Sequence, residues 1–466
     1  MGASYLIGIL LYAWSTVSSG VRLPVRLPTG AARVTCIAIA SVALCALFAL
    51  QLAMVDQVAR SLANRSPYGH DFPLPVIGAG YLYRADVDPL RACIVEIAAI
   101  VQSIALLAVA ALLSIRMARD RAVDVIVIVT AVVLTVTAVS APAMESADLY
   151  SYAGLARSAA PYEPTNIPFS GDAAIINRLW GVPLLPSPYG PLWLAISKAV
   201  ITPAHDLGTQ LIALRLLEVA SLAACLLLLR ALKVSRATLA LIAINPAVYD
   251  LFIAEGHNDI MGVAFLLSAT WARRYSAPLA IVLASAAGLI KLPFALLAML
   301  VFVPETTLRR RLLLGAAPAV LTVAISALAG GIPYSQALHR VYQAYTATAT
   351  PIDSLLQLAL ALLAVGSVLF TVLYRRFLPG AVWAFPALGH FALAQYLAWS
   401  FPYALAMREP PLWFFASLPV AVYLLNTDFS MTPLFVGLRV LLVIAPIAAL
   451  VAIRFRYHRN AKALAR

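Results

Sequence analysis

The chain has 466 residues, 63% of them hydrophobic and only 11% charged, with a mean hydropathy of +0.91. Soluble domains carry about 25% charged residues, so this much apolar surface fits only lipid and the composition excludes an ordinary soluble enzyme. The formal charge of +13 does not point to nucleic acid, because the arginines cluster in short loops between apolar runs, as the positive-inside rule requires, and suit anionic lipid headgroups.

Four cysteines (Cys36, Cys45, Cys93 and Cys225) lie in or beside apolar segments without metal-ligand spacing. They read as core filler, with neither a disulfide framework nor a zinc site. The first apolar run, Tyr5 to Val17, lacks a basic leader and reads as a membrane helix, not a cleavable signal.

Further apolar runs fall near 32–55, 91–115 and 123–141. Arg22, Arg26 and Arg33 place the first loop in the cytoplasm, so the mixed-charge loop at 56–90 is expected outside. Its Asn64-Arg65-Ser66 matches a glycosylation sequon, a short pattern that carries little. Arg116, Arg119 and Arg121 return the chain to the cytoplasm, and the stretch at 142–207 is therefore external. It is too long for a simple connection, and long ordered loops are usually functional. It opens with Glu145 and Asp148, spaced so that a helix puts both on one face, followed by Tyr150 and Tyr152. A carboxylate beside hydrogen-bonding aromatics at a membrane boundary suits proton removal from a sugar hydroxyl; the alternative is a helix cap anchored among headgroups.

Spans are expected near 208–229 and 237–253, joined by a turn marked by Arg230, Lys233 and Arg236. Arg215 and Glu218 lie inside the first at i, i+3, as a structural pair or a functional one. The second contains Asn245-Pro246 and leads to Glu255-Gly256-His257-Asn258-Asp259, an external corner with more hydrogen-bonding side chains than a turn needs. Gly256 alone supplies the turn. A span near 260–272 returns to Arg273 and Arg274.

Residues 277–304 have basic clusters at both ends, which one crossing cannot place on the same side. Gly288-Leu-Ile-Lys291-Leu-Pro293 interrupts the run, so two short helices with Lys291 at the apex are expected. Each arm covers about 20 Å of a core about 30 Å thick, so the lysine lies below the outer surface and needs a partner, unless it snorkels from a tilted helix. Spans near 312–331 and 354–373 flank an outer loop at 332–353 carrying His339, Arg340, Tyr342 and Tyr345. A short pair at 380–394 and 396–407 meets at Tyr396 and Trp399, and spans near 411–425 and 434–453 precede a basic tail. About fifteen segments result, divided as 1–120 (N-terminal helices and external loop), 121–410 (catalytic membrane core) and 411–466 (C-terminal helices and cytoplasmic tail).

The polar features thus gather at one membrane face. A site built there from carboxylates, a lysine and aromatics fits a lipid phosphate carrying a sugar, with a hydroxyl acceptor beside it. Lys291 or His257 would stabilise the departing phosphate, Asp148 would act as general base, and tyrosines with Trp399 would stack on sugar rings. No nucleotide-binding glycine loop is present. A divalent metal beside Asp148 and Asp259 is chemically allowed, but no dense carboxylate loop demands one, and no cofactor is expected.

Asp148-Leu-Tyr150-Ser-Tyr152, Pro161-Tyr162, Ser187-Pro-Tyr189-Gly190-Pro191-Leu192, Asn245-Pro246, Gly256-His257-Asn258-Asp259 and Lys291-Leu-Pro293 occur in this order. Over about residues 120–410 the chain resembles integral-membrane glycosyltransferases of the GT-C class, above all bacterial polyprenyl-phosphate-mannose-dependent mannosyltransferases. The resemblance implies an all-α polytopic bundle of the GT-C type, with short broken-helix pairs and a large ordered external loop. It implies inverting transfer of a mannose-like sugar from a polyprenyl-phosphate donor to a glycan or lipid-linked acceptor, on the external side of the bacterial inner membrane. Asp148 matches the family's acidic base, with Glu145 a weaker match; His257, Asn258 and Asp259 match its substrate-contacting corner, and Lys291 matches a lysine for the donor phosphate. Tyr150, Tyr152, Tyr189, Arg340, Tyr396 and Trp399 complete the expected substrate-binding set. Two additional N-terminal spans and the 56–90 loop depart from the family pattern. Two other readings stand beside this one: a lipid or solute transporter, and an oligosaccharide polymerase or ligase with a lipid-diphosphate donor.

Overall fold

The computed structural model describes residues 30–63, 89–114, 120–141, 148–163, 186–346 and 351–375, with Tyr396, Ala398, Trp399, Phe415, Leu418 and Pro419. Among the described residues the protein is all-α, with no strand. The run at 4–20 and the spans expected beyond 380 lie outside the described residues, those six positions excepted.

Three helices open the fold: α1 (Gly30–Ala63), α2 (Pro89–Ser114) and α3 (Arg121–Ser140), with α1 packed on both others. Helix α1 runs eight residues into the stretch expected to be loop. Helix α3 starts where Asp120 accepts a hydrogen bond from the Ala122 amide. It buries Val123, Thr130, Leu134 and Ala138 but turns Val125, Ile128, Val129, Val132 and Val136 outward. An apolar outer face of this kind is stable in hydrocarbon and not in water. The hydroxyls of Thr130 and Thr135 bond carbonyls one turn back, 2.7 and 2.8 Å away, so neither hydroxyl is left to lipid.

The short helix α4 (Asp148–Arg157) packs against α5 (Pro191–Ile201) and α6 (Leu207–Ala231). Leu149, Tyr152, Leu155, Trp193, Leu214 and Ile290 belong to the apolar cluster that joins them. The 25 residues of α6 extend about 37 Å, enough to cross a bilayer. Helix α7 (Arg236–Ala243) and α8 (Pro246–Tyr249), continued by a π turn at Asp250–Ala254, form a helix pair bent by 57°. Pro246 has no amide proton to continue α7, and Asn245 caps the new start by accepting from the Ala247 amide at 3.2 Å. The Asn245 amide nitrogen also donates to the Phe415 carbonyl at 2.6 Å, which ties the bend to the C-terminal part of the chain.

Helix α9 (Asp259–Ala272) lies against α6 and α10 (Ala277–Ile290). After α10 the backbone turns extended at Lys291, and the chain resumes as α11 (Phe294–Leu297) and a 3-10 turn at Ala298–Phe302 packed back on α10. The broken pair expected around Lys291-Leu-Pro293 is present. Helix α12 (Leu308–Thr346) corrects an expectation: the stretch expected to be loop from 332 is helical as far as Thr346. Gly331, at φ 57° and ψ −152°, breaks the helix in a conformation only glycine adopts readily. Pro333 then pre-sets the φ of a new first turn, so the polar residues read as loop belong to a second helical arm. Helix α13 (Pro351–Tyr374) closes the continuous part.

Four helices, Gly30–Ala53, Arg121–Ser140, Leu207–Ala231 and Leu308–Val341, together with the bent pair, are long and apolar enough to cross a membrane. The protein is a polytopic helical membrane protein. At one end of the bundle Arg274 donates to the Ala231 carbonyl, and Arg273 and Arg310 flank Glu305. The start of α9 and the end of α10 meet at the other end, and the polar site is there.

Candidate active site

Four segments deliver the site. Asp148 opens α4. The turn after the π helix carries His257 and Asn258 into Asp259, the first residue of α9. Lys291 sits at the break after α10, and the Ser187–Gly190 strap runs over that break.

The turn is set by Gly256, at φ +68°, which favours glycine. Any Cβ there would also fall 2.2 Å from the Leu149 side chain, so α4 and the turn are held together at a place where only hydrogen fits. Gly190 does the same for the strap. Its amide donates to the Ile290 carbonyl at 3.0 Å, and an added Cβ would lie 2.1 Å from the Leu289 oxygen. Ser187 supports the strap from both sides: its amide bonds the Pro161 carbonyl at 2.9 Å, and its hydroxyl accepts from the Tyr189 amide at 3.2 Å.

Two side-chain pairs result. His257 Nδ1 lies 2.9 Å from Asp148 Oδ2, and the Tyr152 hydroxyl donates to the same oxygen at 3.2 Å. Lys291 Nζ bonds both oxygens of Asp259 at 3.1 Å, and the Trp399 indole N–H donates to Oδ1. Asp259 is fully buried, whereas the side chains of Asp148 and Lys291 keep 17% and 11% of their surface exposed. Each pair therefore has one member that keeps part of its side chain exposed. A tyrosine wall joins them: Tyr152 packs edge-on against Tyr189 at 4.9 Å and Trp193 at 4.7 Å, and the ammonium of Lys291 lies 5.8 Å from the Tyr189 ring. Lys291 also faces the rings of Tyr396 at 4.4 Å and Trp399 at 5.7 Å, which stack on one another. Aromatic faces of this kind suit both a cation and a sugar ring.

Burial pushes the Asp148 carboxyl up, but the hydrogen bond and charge of His257, the charge of Lys291 and the Tyr152 hydroxyl outweigh it. The carboxyl is held below its ordinary range and is ionised at neutral pH. Burial first, then the Asp148 charge, keeps the Tyr152 phenol far above its usual value, so it remains a neutral donor. Among the described residues no group of three or more His, Cys, Asp and Glu side chains could hold a metal. Asp148 and Asp259 are instead paired with His257 and Lys291.

Of the residues expected from the sequence, Asp148, Tyr152, Tyr189, His257, Asp259, Lys291, Tyr396 and Trp399 come together. Asn258 lies between the two pairs in sequence, fully buried, and neither its amide oxygen nor its nitrogen has a partner among the described residues. Tyr150 is on the same helix as Asp148 but turns elsewhere: burial raises its phenol, while the nearby Arg215 charge lowers it. Arg340 is exposed on the second arm of α12, and no contact among the described residues joins it to the cluster. Glu145 lies outside the described residues.

The expected Arg215–Glu218 pair does not form. Arg215 is spent on backbone carbonyls, and both Glu218 oxygens are buried without a hydrogen bond among the described residues. Sequence reasoning missed Trp193, which backs Tyr152. It sits three residues after Gly190, in the first turn of α5, where a helix turned toward α4 has to carry a large side chain.

An all-α membrane bundle with a carboxylate, a lysine and an aromatic wall at one end agrees with the GT-C type that the sequence motifs resemble. Residues 80–306, just under half of the chain, match the N-terminal domain of the alpha-(1->6)-mannopyranosyltransferases, the MptA/B family, a likeness consistent with a mannosyltransferase of the GT-C type. The matched segment contains Asp148, Tyr189, the His257–Asp259 corner and Lys291. No curated protein and no solved structure matches the chain.

Proposed function

We propose that this protein moves a mannose-like sugar from a polyprenyl-phosphate donor to a hydroxyl of a glycan or lipid-linked acceptor, at the external face of the bacterial cytoplasmic membrane. The supporting observation is the pairing of Asp148 with His257 beside Lys291 with Asp259 on one tyrosine wall. Asp148 also feels the charge of Lys291, which supports a base and a cation acting on one sugar phosphate.

In this reading the acceptor oxygen attacks the anomeric carbon as the bond from that carbon to the phosphate oxygen breaks. The acceptor proton passes to Asp148, and polyprenyl phosphate leaves with the bonding electrons. The lowered carboxyl is ready as a base at neutral pH. His257 and Tyr152 orient it through Oδ2, and the acceptor approaches its exposed edge. Lys291, spending bonds on Asp259, keeps a further N–H for the phosphate, where negative charge grows. Direct displacement inverts the anomeric configuration. The linkage in the matching family's name makes the 6-hydroxyl of a mannoside the first acceptor to try.

The test is transfer by purified protein in nanodiscs from three radiolabelled donors: polyprenyl-phosphate mannose, a polyprenyl-diphosphate sugar and a nucleotide mannose. Label in the mannoside from the first donor alone supports the proposal. Label only from the second would make the protein a lipid-diphosphate enzyme. Movement of intact donor across sealed vesicles, without transfer, would make it a transporter.

A further inference from the structure

Arg215 has no assigned part in the site, yet among the described residues its guanidinium is one of the most heavily bonded groups. It is 5% exposed, about a third of the way along α6. Nε donates to the Ala254 carbonyl at 3.1 Å, and Nη2 donates to the same oxygen. Nη1 donates to the Val139 carbonyl at 3.1 Å and to that of Ala141. These acceptors are carbonyls at two helix ends, where the backbone lacks onward helical partners. Ala254 ends the π turn, three residues before His257; Val139 and Ala141 end α3, seven residues before Asp148 at the nearer.

We propose that Arg215 is a positioning residue that fixes the distance between Asp148 and His257. One planar guanidinium ties the end of α3 to the end of the π turn, and α6, which carries it, also packs on α4, so the 2.9 Å contact between the side chains is set from beneath by a third helix. A guanidinium suits this task because its donors lie in a rigid plane and reach two carbonyl groups at once, whereas an ammonium is a single point. A membrane interior strengthens the arrangement, since no water competes for these carbonyls. Glu218, one turn further on, makes no hydrogen bond to Arg215 among the described residues, and the carboxylate whose charge reaches the guanidinium is Glu255, two residues before His257. The inference rests on the base role given to Asp148 for its catalytic consequence, but not for its geometry.

The test compares Arg215→Met and Arg215→Lys with the parent in nanodiscs, using polyprenyl-phosphate mannose and a synthetic mannoside. Two readouts are taken. The first is the rate at which diethyl pyrocarbonate modifies His257, read by mass spectrometry, with exposed His205 and His339 as internal references. The second is kcat, KM for the donor and the acid limb of the pH profile. The proposal expects His257 to react several-fold faster in Arg215→Met, with the two reference histidines unchanged. It expects kcat to fall tenfold or more, KM to stay within about twofold, and the acid limb to move to higher pH as Asp148 loses His257. Arg215→Lys should fall between, and it decides the matter if the methionine variant does not fold. Unchanged His257 reactivity, or a lower kcat with an unmoved acid limb, overturns the proposal. If Asp148→Asn keeps full activity while Arg215→Met still frees His257, the base assignment fails and the positioning role stands.

Discussion

The Asp259–Lys291 pair makes the sharpest stability prediction, because its two members are buried unequally. Asp259 is fully enclosed, with side-chain hydrogen bonds only from Lys291 and Trp399 among the described residues, whereas Lys291 keeps 11% of its side chain exposed and has the Tyr396 ring 4.4 Å from its ammonium. Lys291→Met leaves an anion in the interior with one neutral donor, and breaking a buried pair in this way costs about 3–5 kcal/mol. Asp259→Asn leaves the cation with partial exposure and aromatic faces, and the amide oxygen introduced there can still accept from Trp399. The loss in that variant is about 1.5–3 kcal/mol, the worth of hydrogen bonds to a charged group. The double variant Lys291→Met with Asp259→Asn removes both charges, and replacing a whole buried pair is often close to neutral. Stability should therefore run parent, double variant, Asp259→Asn, Lys291→Met, in descending order. Equilibrium unfolding in mixed detergent micelles, followed by helical circular dichroism, reads the series. The same variants separate structure from chemistry: the double variant should be folded yet inactive, because the cation proposed to receive the phosphate is gone. A double variant no more stable than Lys291→Met would refute the argument from unequal burial, and a double variant with full activity would remove Lys291 from the reaction.

Two more predictions concern the neighbouring elements. In His257→Leu the Asp148 carboxyl loses its main source of stabilisation while its burial remains, so its pKa rises and the acid limb of kcat/KM moves up by about one pH unit or more. The sign also reaches stability. A depressed carboxyl stabilises the fold above its unfolded value of about 3.9 and loses that contribution as pH falls through the folded value; the acid-side stability gain of the parent should be largely absent from His257→Leu. Gly190→Ala places a methyl group 2.1 Å from the Leu289 carbonyl oxygen. The strap has to lift, at about 1–3 kcal/mol, and Tyr189 moves from Lys291. A donor KM raised several-fold in the alanine variant is the expected kinetic result, and an unchanged KM would mean that the strap does not shape the donor site.

Much of this site was legible in the sequence because its signals are local. Gly288-Leu-Ile-Lys291-Leu-Pro293 interrupts an apolar run, and the structure breaks there because proline cannot continue the helix and the lysine cannot remain in hydrocarbon. Gly256 announces its own turn. Asp148, His257, Asp259 and Lys291 stand out as ionisable groups in apolar surroundings. What the sequence concealed is which of them meet. Two residues at i, i+3 on α6 read as an ion pair, yet Arg215 bonds carbonyls 39 and 76 positions away, and carbonyl positions leave no side-chain signature. The second arm of α12 was hidden for a related reason. Its His339 and Arg340 have the composition of a loop, and only the left-handed Gly331 followed by Pro333 marks a helix restarting.

The account depends most on Asp148 acting upon a sugar held by Lys291. Single-turnover transfer of radiolabelled mannose from pre-bound polyprenyl-phosphate mannose, by the parent and by Asp148→Asn in nanodiscs, measures this directly. Asp148→Asn should bind the donor within about twofold of the parent and transfer it at least about 100-fold more slowly, the usual loss when a general base is removed. Transfer at the parental rate from an equally occupied Asp148→Asn would contradict the account.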